Sequence, residues 1–190
     1  ADPRRESFIW NDWHFSGLAR KGAEKGLASY IPFTYHQGPK IVDEYIAPDV
    51  AVVQVTPMDV HGYFNLSTSC SMGPAYLRKA KIAAAKKDIL EISLRLDRVF
   101  MAVGAYPASL AALGSVPLDP WGAPYRYLSM DGATVGQKRK DKSLHPLNSD
   151  YDLYSIGPDG ASQTALTAKA SRDDIIRANN GGFVGVAEDY

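Results

Sequence analysis

Ile82, Ala85, Ile89, Ile92, Leu96, Val99 and Val103 follow one another at alternating steps of three and four positions. A helix turns once in about 3.6 residues, so this spacing stacks them in one apolar stripe. Leu90, Leu94 and Phe100 widen the stripe, while Lys86, Lys87, Asp88, Glu91, Arg95 and Arg98 fall on the other faces. The pattern predicts one helix from about Ala75 to Val103, stopped by Gly104 and the nearby Pro107. A helix of that length must bury its stripe, either as the spine of a domain or as one member of a coiled pair. The shortness of the heptad run favours the packed spine.

What surrounds the helix differs on its two sides. Before Gly73-Pro74, helix and strand signals alternate. Phe15 to Ala28 is compatible with a glycine-weakened helix, Pro39 to Ile46 with a helical turn or two, and Val50 to Val55 with a β-strand covered on both faces. After Val103 the chain turns to short strands and loops. Ala123 to Leu128 and Asp150 to Ser155 alternate with period two, Gly157-Pro158-Asp159-Gly160 is a turn signal, and a last short helix is expected from Ser171. The fold class expected is α+β: a long spine helix on a small antiparallel sheet, preceded by a short α/β fragment. The domain boundary is placed between residues 1–74 and 75–190.

Charge and cysteine content then exclude several functions. The 190 residues carry 21 basic and 21 acidic side chains, so no global field draws the chain to nucleic acid. The single cysteine, Cys70, cannot make an internal disulfide or a cysteine-based zinc cluster. The longest uncharged stretch, Val99 to Leu118, is broken by Gly104, Pro107, Gly114 and Pro117, which argues against a membrane span. The first residues lack the apolar core of a signal peptide, and the chain reads as soluble.

No catalytic constellation stands out. His14, His36, His61 and His145 are scattered, and there is no phosphate-binding loop or nucleophile elbow. Asn148, Asp150 and Asp152 resemble the start of an EF-hand loop, but Leu153 stands where that loop needs glycine, which leaves a polar strand face. Asn65-Leu66-Ser67 matches the glycosylation triplet. The basic residues Lys138, Arg139, Lys140 and Lys142 lack interleaved aromatics and read as a solvated loop. Two readings apply to the acids near the C-terminus. Ser171-Arg172-Asp173-Asp174 fits a helix capping box, whereas Asp159, Asp173 and Asp174 together could supply oxygens to calcium.

The second part of the chain resembles the major pseudopilin of type II secretion systems, a branch of the type IV pilin superfamily. The residues that carry this are Ala75 to Lys81, Gly104-Ala105-Tyr106-Pro107, Asp119-Pro120-Trp121-Gly122-Ala123-Pro124-Tyr125, Asp150 to Gly160 and Ser171 to Ile175. The resemblance covers about residues 75–190. It implies a structural subunit of a pseudopilus, with other pseudopilin subunits and the secretion machinery as partners, at the periplasmic face of the bacterial inner membrane. It also implies a calcium site, with the Ile156 carbonyl, Asp159, Asp173 and Asp174 as ligands. The apolar half-helix that anchors such subunits has no counterpart before Ala75, so no membrane anchor is expected.

The first part resembles the acetyl-CoA hydrolase and acyl-CoA:carboxylate CoA-transferase family. The matching residues are Trp13 to Gly17, Tyr30 to His36 and, above all, Asp49 to Asn65. In that family a glutamate from a later part of the fold carries the covalent intermediates, and no residue here aligns with it. Glu24 and Glu44 read as helix-surface charges. The expectation is therefore a chain that is not itself an enzyme, with acyl-CoA chemistry in the N-terminal segment as the competing reading. Gly73-Pro74 resembles a protease-site scar and Ala1-Asp2-Pro3 a cloning remnant, which suggests a chimera of two unrelated segments.

Overall fold

The computed structural model describes residues 10–14, 16–46, 48–61, 64–66 and 71–190. Cys70 and the Ser67 of the glycosylation triplet lie outside them. The chain forms two compact units, residues 1–46 and 47–190.

In the first unit, strand β1 (Trp10–Asp12) is followed by helix α1 (Gly17–Glu24) and strand β2 (Ala28–Tyr30), which pairs parallel with β1. A parallel pair cannot be joined by a tight turn, and α1 is the crossover. Ser16 caps α1 by accepting a hydrogen bond from the Ala19 amide. Gly22 faces the indole of Trp10, where a β-carbon would stand only 3.0 Å from the ring; a glycine lets helix and strand close up. Helix α2 (Gly38–Glu44) completes the unit, with Pro39 in its first turn, where a missing amide proton costs nothing.

The second unit is built on helix α3 (Gly73–Val103), which has Pro74 in its first turn and Gly104 in the left-handed conformation at its end. Four antiparallel strands follow, β3 (Arg126–Ser129), β4 (Tyr151–Ser155), β5 (Ile175–Ala178) and β6 (Phe183–Val186), hydrogen-bonded in that order. Ala85, Ile89, Ile92 and Leu96 of α3 pack on Tyr125, Tyr151, Leu153 and Ile175. Strand alternation sends Ile176 and Ala178 to the other face, where Leu147, Leu166 and Ala187 cover them. The expected α+β class thus holds in its coarse form: a long helix packed on an antiparallel sheet.

Tyrosines tie the helix to the sheet. The Tyr125 hydroxyl donates to Asp88 at 2.9 Å, and the Tyr106 ring lies between Phe100 and Tyr151, with centroids 4.6 and 4.8 Å away. The Tyr127 hydroxyl donates to the Pro107 carbonyl at 2.7 Å, holding the chain just after the helix against the first strand.

Several expectations need correction. The run Val50 to Val55 is not a strand: it has no ladder partner among the described residues, and Val50 and Val52 face solvent. A β-branched composition favours a strand only where a neighbouring edge supplies hydrogen bonds. No helix starts at Ser171. A single 3-10 turn, Lys169–Ser171, leads into β5, and the Ser171 hydroxyl bonds both the amide and the carbonyl of Gln163 instead of capping a helix. Leu90, Leu94 and Val103 are exposed, so the buried stripe is narrower than the pattern implied. The two compact units divide after Ile46 rather than at Gly73-Pro74, which marks only the start of α3. Val53 lies beside Gly73, so the stretch before α3 gathers with the second unit.

Candidate functional site

Two places in the second unit concentrate polar chemistry: a buried guanidinium centre behind the sheet, and an open groove along α3.

The guanidinium centre forms around Arg139, which comes from the long connection between β3 and β4 and is almost fully buried. An isolated bridge pairs Lys140 with Pro146, and the Leu147 amide donates to the Arg139 carbonyl, so the backbone around Arg139 is fixed. Its amide donates to Asp152 at 2.7 Å, and its side chain donates to Ser162 at 2.6 Å and to Asp174 at 2.7 Å. The same guanidinium lies 4.0 Å from the centroid of the Tyr154 ring, a cation–π arrangement. Ser162 also donates to Asp174 at 2.6 Å. Burial pushes the Asp174 carboxyl up to about 6, against the pull of Arg139 and Ser162. Burial likewise raises Asp152, opposed by the hydrogen bonds from Asn148 and Arg139.

A second guanidinium repeats the theme. Arg177 on β5 holds Asp150 through two bonds of 2.7 and 2.8 Å and lies 4.0 Å from the Tyr151 ring centroid. Asn148 donates to Asp152 and to the Arg177 carbonyl. Asn148 and Asp152 are therefore buried hydrogen-bonding groups, and Asp150 a partly exposed one, rather than one polar strand face. Arg139, read as part of a solvated basic loop, proves to be a buried cation. Nothing in the local sequence separates it from Lys138 and Lys140; the alternation of one buried residue between two partly buried ones emerges only from the bridge.

The residues expected to hold calcium are only partly brought together. Asp159 and Asp173 meet at the turn after β4, where the Asp159 amide donates to Asp173 at 3.2 Å. The turn is close: a β-carbon on Gly157 would stand 2.5 Å from the Asp173 carbonyl oxygen. Ile156 is buried beside it. Asp174, however, points inward and gives its carboxylate to Arg139 and Ser162. Calcium needs six to eight oxygens around one point, and a divalent ion sharing Asp174 would sit against the guanidinium. Among the described residues no group of three or more His, Cys, Asp or Glu side chains could hold a metal ion. The set Ile156, Asp159, Asp173 and Asp174 does not fit calcium as a single site, because Arg139 already neutralises its innermost member.

The groove runs beside α3 with a volume of about 430 Å³. Ile82, Leu90 and Val186 line it with apolar surface; Lys79, Lys86 and Lys87 supply three ammonium groups from the helix, and Asp49 and Asp189 also line it. The volume suits a small-molecule ligand. In sequence Lys86 and Lys87 fell only on the faces away from the apolar stripe. The steps from Lys79 to Lys86 and Lys87 return to one side after two turns, which is the signal that could have found them.

The remaining expected features stand apart. Glu44 forms an exposed pair with Lys40 at 3.7 Å. His145 lies 3.7 Å from Asp141 at the surface. No helix among the described residues is long and apolar enough to cross a membrane.

A butyryl-CoA:acetate CoA-transferase from Anaerostipes caccae is 44% identical over 122 residues, 60% of this chain and 27% of that protein. A probable butyrate:acetyl-CoA coenzyme A-transferase from Syntrophomonas wolfei is 38% identical over 98 residues, 51% of this chain and 21% of that protein. The chain thus spans about a quarter of the length of these relatives or less. The type II secretion system core protein G of Pseudomonas aeruginosa is 30% identical over 104 residues, 43% of this chain and 63% of that protein. No solved structure matches the chain. Both resemblances read from the sequence are thereby supported, but the expectation of a non-enzyme is overturned, since the more similar relatives are named as transferases. The family model of the acetyl-CoA hydrolase/transferase N-terminal domain matches residues 1–97, just over half of the sequence and well into α3, and the chain belongs to that family.

Proposed function

We propose that this chain is part of an enzyme that moves coenzyme A between an acyl group and a carboxylate. The observation that carries the reading is the family match over residues 1–97, together with relatives named for CoA transfer. The groove along α3 supports it physically. Coenzyme A presents phosphates at one end, and Lys79, Lys86 and Lys87 offer charge-assisted hydrogen bonds to such groups, while Ile82 and Leu90 offer apolar surface to the uncharged arm. Lys79, Lys86 and Lys87 all fall within the matched residues. The test is acetyl-CoA binding to the intact chain by equilibrium dialysis: saturable binding displaced by free coenzyme A supports the reading, and no binding at millimolar acetyl-CoA contradicts it.

A second reading rests on a separate observation, the 30% identity to the secretion protein over 104 residues, 43% of this chain. It is that α3 and the β3–β6 sheet form a pseudopilin-like assembly unit, whose partners are other pseudopilin subunits at the periplasmic face of the inner membrane. Limited proteolysis followed by mass spectrometry tests it. A resistant product that begins near Gly73 and retains β6 is the expected result, and even degradation throughout the chain contradicts it.

A further inference from the structure

We propose that Arg139 takes the part of a bound cation in the loop between β4 and β5, so that this loop closes without calcium. The acids that resemble a calcium loop are present, yet one oxygen of the buried one, Asp174 Oδ2, is already held from within the chain by Arg139 and Ser162. Asp174 has no exposed surface, and its pairing with Arg139 at 2.7 Å buries both side chains almost completely. A cation from the chain thus already faces this carboxylate before any ion arrives, although Asp174 Oδ1 keeps no hydrogen-bond partner among the described residues.

The delivery of Arg139 is specific. The chain between β3 and β4 runs behind the sheet, and the Lys140 amide donates to Thr164 while the Leu166 amide donates to the Lys140 carbonyl. These bonds stitch the Arg139 segment to the very stretch, residues 161–171, that separates Asp159 from Asp173 and Asp174. Ser162, in that stretch, receives Arg139 and donates to Asp174. One guanidinium thus links three separate pieces of chain: its own segment, the loop at Ser162 and the start of β5 at Asp174. A calcium ion in a loop does the same by gathering oxygens. The planar fork of arginine suits this task, since it offers several fixed donors and keeps its charge when buried.

The remaining acids are also engaged locally. Asp159 accepts from the Ala161 amide at 2.8 Å, and Asp173 accepts from the Asp159 amide. These bonds shape the turn around Gly157 independently of Asp174, which leaves no role for an ion in joining the two.

Thermal unfolding of the intact chain tests the proposal, recorded in EGTA and in millimolar calcium chloride. The expected result is the same midpoint in both for the unaltered protein. Breaking one partner of a buried pair leaves the other charge uncompensated, so Arg139→Ala should lower the midpoint by about 10 °C. Arg139→Lys, which keeps the charge and loses the fork, should fall between the two. Terbium luminescence and equilibrium dialysis on the unaltered chain give a readout that does not depend on any variant folding, and no stoichiometric metal is expected. A chelator-induced drop restored by calcium, stoichiometric terbium binding, or an Arg139→Ala midpoint equal to that of the unaltered chain would each overturn it.

Discussion

Tyr125 and Asp88, remote in sequence, meet through a hydrogen bond of 2.9 Å that fastens the edge of the sheet to the side of α3. The bond is made where the ring of Tyr125 is already buried among the residues that α3 packs against. Burial, and then the neighbouring carboxylate, push its phenol well above the ordinary range. Replacing the hydroxyl removes a bond to a charged acceptor, so Tyr125→Phe should destabilise the second unit by roughly 1.5–3 kcal/mol. Denaturant unfolding followed by circular dichroism measures this, with Asp88→Asn as the partner for a double-mutant cycle.

The same interface predicts a sharp contrast along one helix. Ile89 and Leu94 both looked apolar and helix-facing in sequence, but Ile89 has no exposed surface and Leu94 is 60% exposed. Ile89→Ala should cost roughly 2–5 kcal/mol, because it removes buried methylenes and leaves a cavity. Leu94→Ala should stay within about 0.5 kcal/mol of the unaltered protein. Equal losses for the two would mean that the exposed face of α3 is covered in solution.

Alkaline pH should weaken the fold through its tyrosines. Burial pushes both Tyr127 and Tyr151 up to about 12. Between about pH 10, where free tyrosine ionises, and pH 12 the unfolded chain has released protons that the folded chain keeps. Stability therefore falls as pH rises through that window and is full below it. Absorbance of phenolate against pH should show a late-titrating class of tyrosines that merges with the rest only when the protein unfolds.

Gly157 provides a backbone test. Its φ of +68° is one that other residues rarely adopt, and a β-carbon there would collide with the Asp173 carbonyl. Gly157→Ala should thus cost more than the roughly 1–2 kcal/mol of left-handed strain alone. A melting curve that matches the unaltered protein would mean that the turn joining β4 to Asp173 is arranged differently.

The limits of sequence reading follow from these same residues. The spine helix was legible because its stripe repeats over many turns, and strands β3 and β4 because alternation and turn residues agree around them. The run Val50 to Val55 misled, since β-branched residues report a preference that only a partner edge can realise. Ser171 misled in a different way: the spacing of a capping box is also the spacing of a tight turn before a strand, and the hydroxyl found Gln163 instead. For the site, the pairing of Asp159 with Asp173 was within reach of the sequence. The diversion of Asp174 to Arg139 was not, because a contact between residues 35 positions apart depends on how an irregular connection crosses the back of the sheet. The lysines of the groove were visible as residues but not as a group, as their relation to Val186 is set by β6 packing near α3.

The acyl-CoA reading makes a claim about those lysines as well. Reversing all three, in Lys79→Glu, Lys86→Glu and Lys87→Glu together, should weaken acetyl-CoA binding by at least roughly tenfold, as expected for loss of charge-assisted contacts. The melting temperature should hardly move, because Lys79 and its neighbours reach solvent and anchor no core residue.

Isothermal titration of the intact chain with acetyl-CoA should show saturable binding at one site per chain, weakened by added salt and competed by free coenzyme A. Absence of any saturable heat at millimolar acetyl-CoA, or binding indifferent to competing coenzyme A, would contradict the acyl-CoA reading.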